Sequence, residues 1–180
     1  MLTAQQQLFV QALEEQDLAQ VQRLLADGLN PNFIDFEKGP AISVWSDGLF
    51  KWWETVCEAY ESGTPLSSEQ KQQHLQIHMD ILEAMIQAKT NVHLWDAEEI
   101  YGPLWDAASA ACVPAVQRLL DEKVNPNMID SDGLTILSSI SELFFDCDFD
   151  AINWSEALEE EKQTLELLRS HGAKMTKELA

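Results

Sequence analysis

The sequence is poor in positive charge, in cysteine and in long apolar runs. It has 180 residues, with 11 Lys and Arg against 31 Asp and Glu, and therefore a formal net charge of -20. A surface with this charge repels phosphate groups, which argues against nucleic acid and against anionic membranes as partners. The charge favours a basic partner, and we expect that partner to be another protein.

The other shortages indicate a reducing compartment. The three cysteines, Cys57, Cys112 and Cys147, have neither the spacing of a zinc site nor the number of a disulfide framework. No stretch approaches the ~20 apolar residues that a membrane span requires. The first residues lack the basic and apolar regions of a secretory signal. We therefore expect a cytoplasmic protein with three reduced thiols.

Motifs for catalysis are missing as well. The sequence has no Gly-rich phosphate loop and no Gly-x-Ser-x-Gly elbow. His74 and His78 have the i, i+4 spacing of a metal-binding helix, but no third ligand is evident. Asp146, Asp148 and Asp150 alternate as at the start of a calcium loop, without its Gly and its final Glu. We expect no enzyme, no cofactor and no metal, and rank a metal protein based on the two histidines third among the alternatives.

The sequence does contain an internal repeat. Segments 21–25 and 30–35 recur 95 residues later at 116–120 and 125–130, with ten of these eleven positions identical. A weaker copy lies 61 residues after the first, and a frayed fourth copy covers 165–173. Repetition in steps of 61, 34 and 49 residues indicates several copies of one supersecondary unit.

Each copy has the features of a helix that ends in a loop. The apolar residues of 21–25 lie at i, i+3 and i+4, which is a helical stripe. Gly28 suits the left-handed conformation after a last turn, and Asn30-Pro31-Asn32 cannot continue the helix. A second short helix precedes the stripe, most clearly at 103–111. One such helix pair cannot bury its own apolar face, whereas several stacked pairs can.

These residues resemble ankyrin repeats. Gly102-Pro103-Leu104-Trp105-Asp106-Ala107-Ala108 stands where that family has a Thr-Pro-Leu-His-x-Ala-Ala opening, and the rest of the third copy follows in register. The resemblance covers roughly 4–45, 73–145 and 162–177. It implies an all-α fold, an ankyrin-repeat solenoid of about four helix-turn-helix units with two insertions.

The resemblance organises the chain as one ankyrin-repeat domain, 1–180. Its units cover about 4–45, 73–101, 102–133 and 134–177, the last one interrupted, and its insertions cover about 45–72 and 146–161. The insertions follow from the family's period of about 33 residues, which the steps of 61 and 49 exceed. Insertions in a solenoid form loops or longer helices on one side, often the binding side.

The insertions carry most of the candidate partner-binding residues. The first is rich in tryptophan, which often dominates binding energy, although helical spacing favours core packing for most of these residues. The second lies in an acidic segment, 142–161, with eight acidic residues and no Lys or Arg. That segment could meet a basic cleft, or it could only keep the protein soluble. The candidates are Trp45, Asp47, Trp52, Trp53, Trp105, Glu142, Asp146, Asp148, Asp150, Trp154 and Glu156.

The combination of these features is similar to bacterial immunity proteins, which neutralise toxins delivered by contact-dependent or type VI secretion systems. That similarity implies an inhibitor, monomeric when free, that occludes the active or substrate-binding surface of a basic toxin or effector. The alternative is an ankyrin scaffold or regulatory adaptor that binds host proteins through its concave face. Its contacts would come from the loops at 33–38, 94–101 and 128–133.

Overall fold

Helices make up most of the fold. The structure, a computed structural model, describes residues 2–35, 37–94, 102–147, 149–155 and 157–179. Within these ranges lie eight α-helices, two 3-10 turns and one small antiparallel hairpin, so the predicted all-α class is confirmed. The chain divides into two compact units, 1–91 and 92–180.

The first unit contains two helix pairs joined by the hairpin. Its elements are α1 (Ala4–Glu14), α2 (Leu18–Ala26), β1 (Ile34–Asp35), β2 (Gly39–Pro40), α3 (Ala41–Glu61) and α4 (Ser68–Gln87). Both α1 and α4 pack on α2 and on α3, so that the first helices of the two pairs adjoin, as do the second helices. Phe9, Leu49 and Leu82 are fully buried between them and form the centre of the core.

The second unit repeats this packing order. Its elements are α5 (Pro103–Ser109), α6 (Val113–Asp121), α7 (Ile136–Phe145), a 3-10 turn (Phe149–Ala151), α8 (Glu159–Ser170) and a second 3-10 turn (Thr176–Glu178). Both α5 and α8 pack on α6 and on α7. The starts of α2 and α6 lie 95 residues apart, as do those of α3 and α7. This distance equals the offset of the strongest sequence repeat.

Seven of the eight described helices end in the same hydrogen-bonded motif, and four of these seven are the second helices of the helix pairs. Gly28, Lys89, Lys123 and Gly172 adopt positive φ angles of 89°, 65°, 66° and 86°. In each case the next residue donates its N–H to the carbonyl five residues back. This is the Schellman motif, which satisfies carbonyl groups at the end of a helix. The four ends follow one another at 61, 34 and 49 residues, the steps of the repeat.

One asparagine in each unit ties two helix pairs together. The Asn32 side chain donates to the carbonyl of Lys89 at 2.9 Å and accepts from the N–H of Asn91 at 2.6 Å. Asn127 makes the two equivalent bonds in the second unit, at 3.0 and 2.8 Å. The repeated Asn-Pro-Asn sequence therefore has a structural role in addition to ending the helix.

The extra residues of the first unit lengthen its second helix pair. Helix α3 has 21 residues and α4 has 20, whereas α7 and α8 have 10 and 12. Most of the segment 45–72 is therefore helical. In the described part of the chain, no helix combines the length and the apolar composition needed to cross a membrane.

Candidate partner-binding surface

The tryptophans of the first unit belong mainly to its core. Trp45 and Trp52 are buried, and the Trp45 indole N–H donates to the carbonyl of His78 at 2.9 Å. Trp53 is half-buried, with its ring centroid 5.9 Å from that of Trp52. Because their rings face the inside of the helix pair, Trp45 and Trp52 cannot anchor a partner as predicted. They are core residues.

His78 packs against the same long helix. A Cβ atom added at Gly48 would lie 2.8 Å from His78 Cε1, so the imidazole fills the space of a side chain there. His78 is 5% exposed, and burial lowers its pKa from the ordinary value of 6.5. His74, one turn earlier, is exposed. Among the described residues, no group of three His, Cys, Asp or Glu side chains is placed to hold a metal ion.

Asp47 is the candidate of the first unit that carries charge at the surface. Its side chain is exposed, yet partial desolvation raises the pKa of its carboxyl group. The nearby Lys51 opposes this shift, and Glu14 adds to it. Asp47 therefore lies between a basic neighbour and an acidic one.

Candidate partner-binding residues of the second unit lie on one face of α7. Ser139, Glu142, Leu143 and Asp146 lie at i, i+3, i+4 and i+7, which places them on the same side of the helix and its cap. We call these four residues the α7 strip. Trp105, from α5, borders the strip because its indole N–H donates to Ser139 Oγ at 3.2 Å. The ring of Trp105 is half-buried and is thus partly available to a partner.

The α7 strip is both acidic and apolar. Glu142 and Asp146 are exposed, and Leu143 is 56% exposed. Neither acid has an ion-pair partner within the described ranges. Asp146 ends the helix at a φ of 50°, a left-handed conformation that aspartate tolerates. The strip therefore combines two uncompensated carboxylates with an apolar side chain in contact with water.

Aromatic contacts link the end of α7 to the segment that follows it. The Trp154 ring lies edge-on to Phe145 and Phe149, at centroid distances of 6.1 and 5.5 Å. Phe144 lies edge-on to Phe145 at 6.0 Å. Edge-to-face pairs at such distances are favourable beyond the area that they bury. Trp154, predicted as a partner anchor, is half-buried in this cluster and holds the segment in place.

Two basic residues from the C-terminal end of the chain reach the acidic segment. Lys177 Nζ lies 3.0 Å from a carboxylate oxygen of Asp150, and the Arg169 guanidinium lies 5.8 Å from the centre of the Phe149 ring. Arg169 also pairs with Glu178, and this hydrogen bond is the main reason that the pKa of Glu178 falls to about 2. The acidic segment contains no Lys or Arg, but in the fold Lys177 and Arg169 lie against it.

Three further acids of this segment contribute to helix α8. Residues 159–161 are glutamates in its first turn, where the helix dipole favours negative charge. The Glu161 carboxylate accepts the N–H of Leu158 at 2.9 Å. Burial nevertheless raises the pKa of Glu161, because desolvation outweighs that bond. These acids have a structural explanation that requires no partner.

The candidates that remain for a partner are few. Asp148 and Glu156 lie outside the described residues. Of the acids described in the acidic segment, Glu142 and Asp146 are exposed, have no cationic partner in the described ranges and lie beside an exposed apolar side chain. Leu143 is not among the predicted site residues, because an apolar residue in a helical pattern predicts core.

The hairpin of the first unit and the matching bridge of the second each expose an isoleucine. Ile34 pairs with Pro40, and Ile129 pairs with Thr135, at positions 95 residues apart. Ile34 is 67% exposed and Ile129 is 46% exposed. These loops are contact regions of the scaffold alternative. Residue 36 of its first loop and residues 95–101 of its middle loop lie outside the described part of the chain.

No protein-family model matches the sequence, and no curated protein is significantly similar to it. The candidate surface is therefore assigned from its geometry and charge.

Proposed function

We propose that this chain is an ankyrin-like repeat protein of about four helix-turn-helix units that binds another protein. The four shared helix ends, the two asparagine bridges and the two matching strand pairings support this proposal. The asparagine bridges are contacts that a repeated unit would make with its neighbour, and the helix ends and strand pairings recur at the offsets of the sequence repeat. The joining of the two units into one continuous solenoid is part of the proposal.

We further propose that the protein inhibits a basic partner, as an immunity protein that neutralises a cognate toxin or effector. The observation that supports this most is the α7 strip, where Glu142 and Asp146 are exposed next to Leu143 on a chain of net charge -20. Opposite charge speeds the encounter of two proteins and disfavours acidic competitors. Trp105 gives the same surface an aromatic edge, a feature enriched at binding hot spots.

Inhibition in this proposal is occlusion. The α7 strip covers the basic surface at which the partner binds its own substrate, so that inhibitor and substrate compete for one site. No covalent bond forms or breaks, and the inhibitor acts one to one without a cofactor or metal. We place this function in the cytoplasm, in agreement with the reduced cysteines.

The test is the association rate with a partner first captured from source cells and identified. Glu142→Gln combined with Asp146→Asn removes two charges from the strip with little change in shape. Glu54→Gln combined with Glu58→Gln removes two exposed charges from α3 and serves as the matched control. Each variant changes the formal net charge from -20 to -18.

We expect the strip variant to associate about tenfold more slowly at low salt, and the control variant to match the wild type. The difference should disappear as salt screens the charges. Equal slowing in both variants would show that net charge alone governs binding, and the strip would lose its assigned role.

A scaffold or regulatory adaptor is the second candidate function, and the exposed Ile34 and Ile129 favour it. Under this alternative, Ile34→Ser and Ile129→Ser weaken the binding of partners whose affinity does not depend on salt. The strip variant would then bind them as the wild type does. Opposite results for the two sets of variants decide between inhibitor and scaffold.

A further inference from the structure

Leu143 and Gly48 occupy equivalent positions in the two units. Each lies seven residues after the start of its helix, α7 at Ile136 and α3 at Ala41. In the first unit the His78 ring packs directly on the glycine at this position and leaves no room for a side chain. In the second unit the same position carries a large apolar side chain that is 56% exposed.

The exposure of Leu143 is local and does not reflect a loosely packed helix. Ile136, Leu137 and Ile140 on the same helix are completely buried. The helix therefore has a well-formed inner face. Leu143 follows Ile136 and Ile140 along the helix at i+7 and i+3, and it lies at the C-terminal end, where its side chain is exposed beside Glu142. Burial of an exposed leucine by a partner lowers the free energy of the complex.

We propose that the α7 strip binds a cationic amphipathic surface, with Leu143 as the apolar anchor. On such a surface, apolar side chains lie among lysines and arginines. The inference rests on the proposed function, since it specifies the partner's chemistry at the same site. Glu142 and Asp146 select basic neighbours around the apolar contact, and the half-buried Trp105 widens it. An apolar centre inside a charged rim is the usual anatomy of a binding hot spot.

The experiment is an NMR titration of the isotope-labelled full chain with two synthetic peptides. They have the same length and the same number of lysines at helical spacing; one carries leucine between them and the other serine. The readouts are the backbone amides of 139–146 and the indole N–H of Trp105. Leu143→Ser is the test variant, and Leu8→Ser, at a site 45% exposed in the first unit, is the matched control.

We expect the Lys/Leu peptide to shift the signals of the α7 strip and to bind about tenfold more tightly than the Lys/Ser peptide. Leu143→Ser should remove this preference and leave the affinity for the Lys/Ser peptide unchanged. Leu8→Ser should retain the preference. Thermal melts of both variants, expected to match the wild type, confirm that the fold is retained.

Several results would overturn the inference. They are equal affinity for the two peptides, an unchanged preference in Leu143→Ser, shifts confined to other surfaces, or no binding of either peptide. The first two leave the proposed function standing if Glu142→Gln with Asp146→Asn abolishes binding of both peptides. The charge variant could instead bind the Lys/Leu peptide as the wild type does while Leu143→Ser does not bind it. That result would support Leu143 as the apolar anchor and would contradict the electrostatic part of the proposed function.

Discussion

His78 and Gly48 form a close contact between the two long helices of the first unit. A Cβ atom at residue 48 would lie 2.8 Å from His78 Cε1 and 3.2 Å from Nδ1. A glycine inside a helix costs about 1 kcal/mol relative to alanine. The contact therefore explains why glycine stands in the interior of α3, where helix propensity alone disfavours it.

Gly48→Ala is expected to destabilise the protein despite the gain in helix propensity. The His78 ring is nearly buried and has little room to move away from the new methyl group. Overpacking of this kind typically costs about 1–3 kcal/mol, which exceeds the gain of about 1 kcal/mol in propensity. Urea denaturation should show a lower unfolding free energy. In a His78→Ala background the same substitution should raise that free energy, and an equal loss in both backgrounds would contradict the contact.

Burial of His78 should make the stability of the protein depend on pH. Its pKa in the folded state lies below the unfolded value of 6.5, so the unfolded state binds more protons in the interval between them. The stabilising contribution of the neutral imidazole is fully present above pH 6.5. It is lost as the pH falls from 6.5 towards the folded pKa.

The difference in unfolding free energy between the wild type and His78→Gln isolates this effect. Carboxyl groups such as Asp47 and Glu161, whose pKa values are raised by desolvation, titrate in both proteins and cancel. We expect the advantage of the wild type to shrink from about pH 7.5 to about pH 5.5. An advantage that stays constant across this range would show that the imidazole does not titrate differently on unfolding.

The asparagine bridges should be measurable contributors to stability. Asn32→Ala and Asn127→Ala each remove two side-chain bonds between helix pairs, and each should lower the unfolding free energy by about 1–2 kcal/mol. Asn32→Asp keeps the acceptor for the N–H of Asn91 but loses the donor to Lys89, so a smaller loss is expected. Thermal melts identical to wild type in both alanine variants would be incompatible with this role.

Equivalent leucines of the repeat should be equally sensitive to truncation. Leu24 and Leu119 are buried and lie 95 residues apart, so Leu24→Ala and Leu119→Ala should each cost about 2–5 kcal/mol through a core cavity. Leu143→Ala, at the exposed C-terminal end of α7, should change stability by less than about 0.5 kcal/mol. Calorimetry of the three variants checks both statements, and a neutral Leu24→Ala would refute the assignment of this leucine to the core.

Local signals in the sequence predict the helices that carry the apolar stripe and the helix ends that carry glycine. The apolar stripe before Gly28 and the Asn-Pro-Asn sequence after it specify a helix and its termination, because both depend on residues close in the chain. Lys89 and Lys123 adopt the same left-handed conformation without glycine, which only the repeat pattern could indicate.

The candidate surface was less predictable because it depends on distant contacts. Lys177 and Asp150 are 27 residues apart in the chain, so the partial neutralisation of the acidic segment required the fold. Spacing favours core packing for most tryptophans of the first insertion but leaves the anchor role of Trp45 open, and burial decides for core. Leu143 has the sequence signature of a core residue, and only its exposure shows otherwise.

Hydrogen exchange of the free and partner-bound protein tests the role of the α7 strip most directly. If the strip is the inhibitory surface, the captured basic partner should slow exchange at the amides of 139–146 and leave those of the hairpin at 33–40 unchanged. Protection at the hairpin at 33–40 and at the bridged loop at 128–135, with none on α7, would contradict the inhibitory surface and favour the scaffold function.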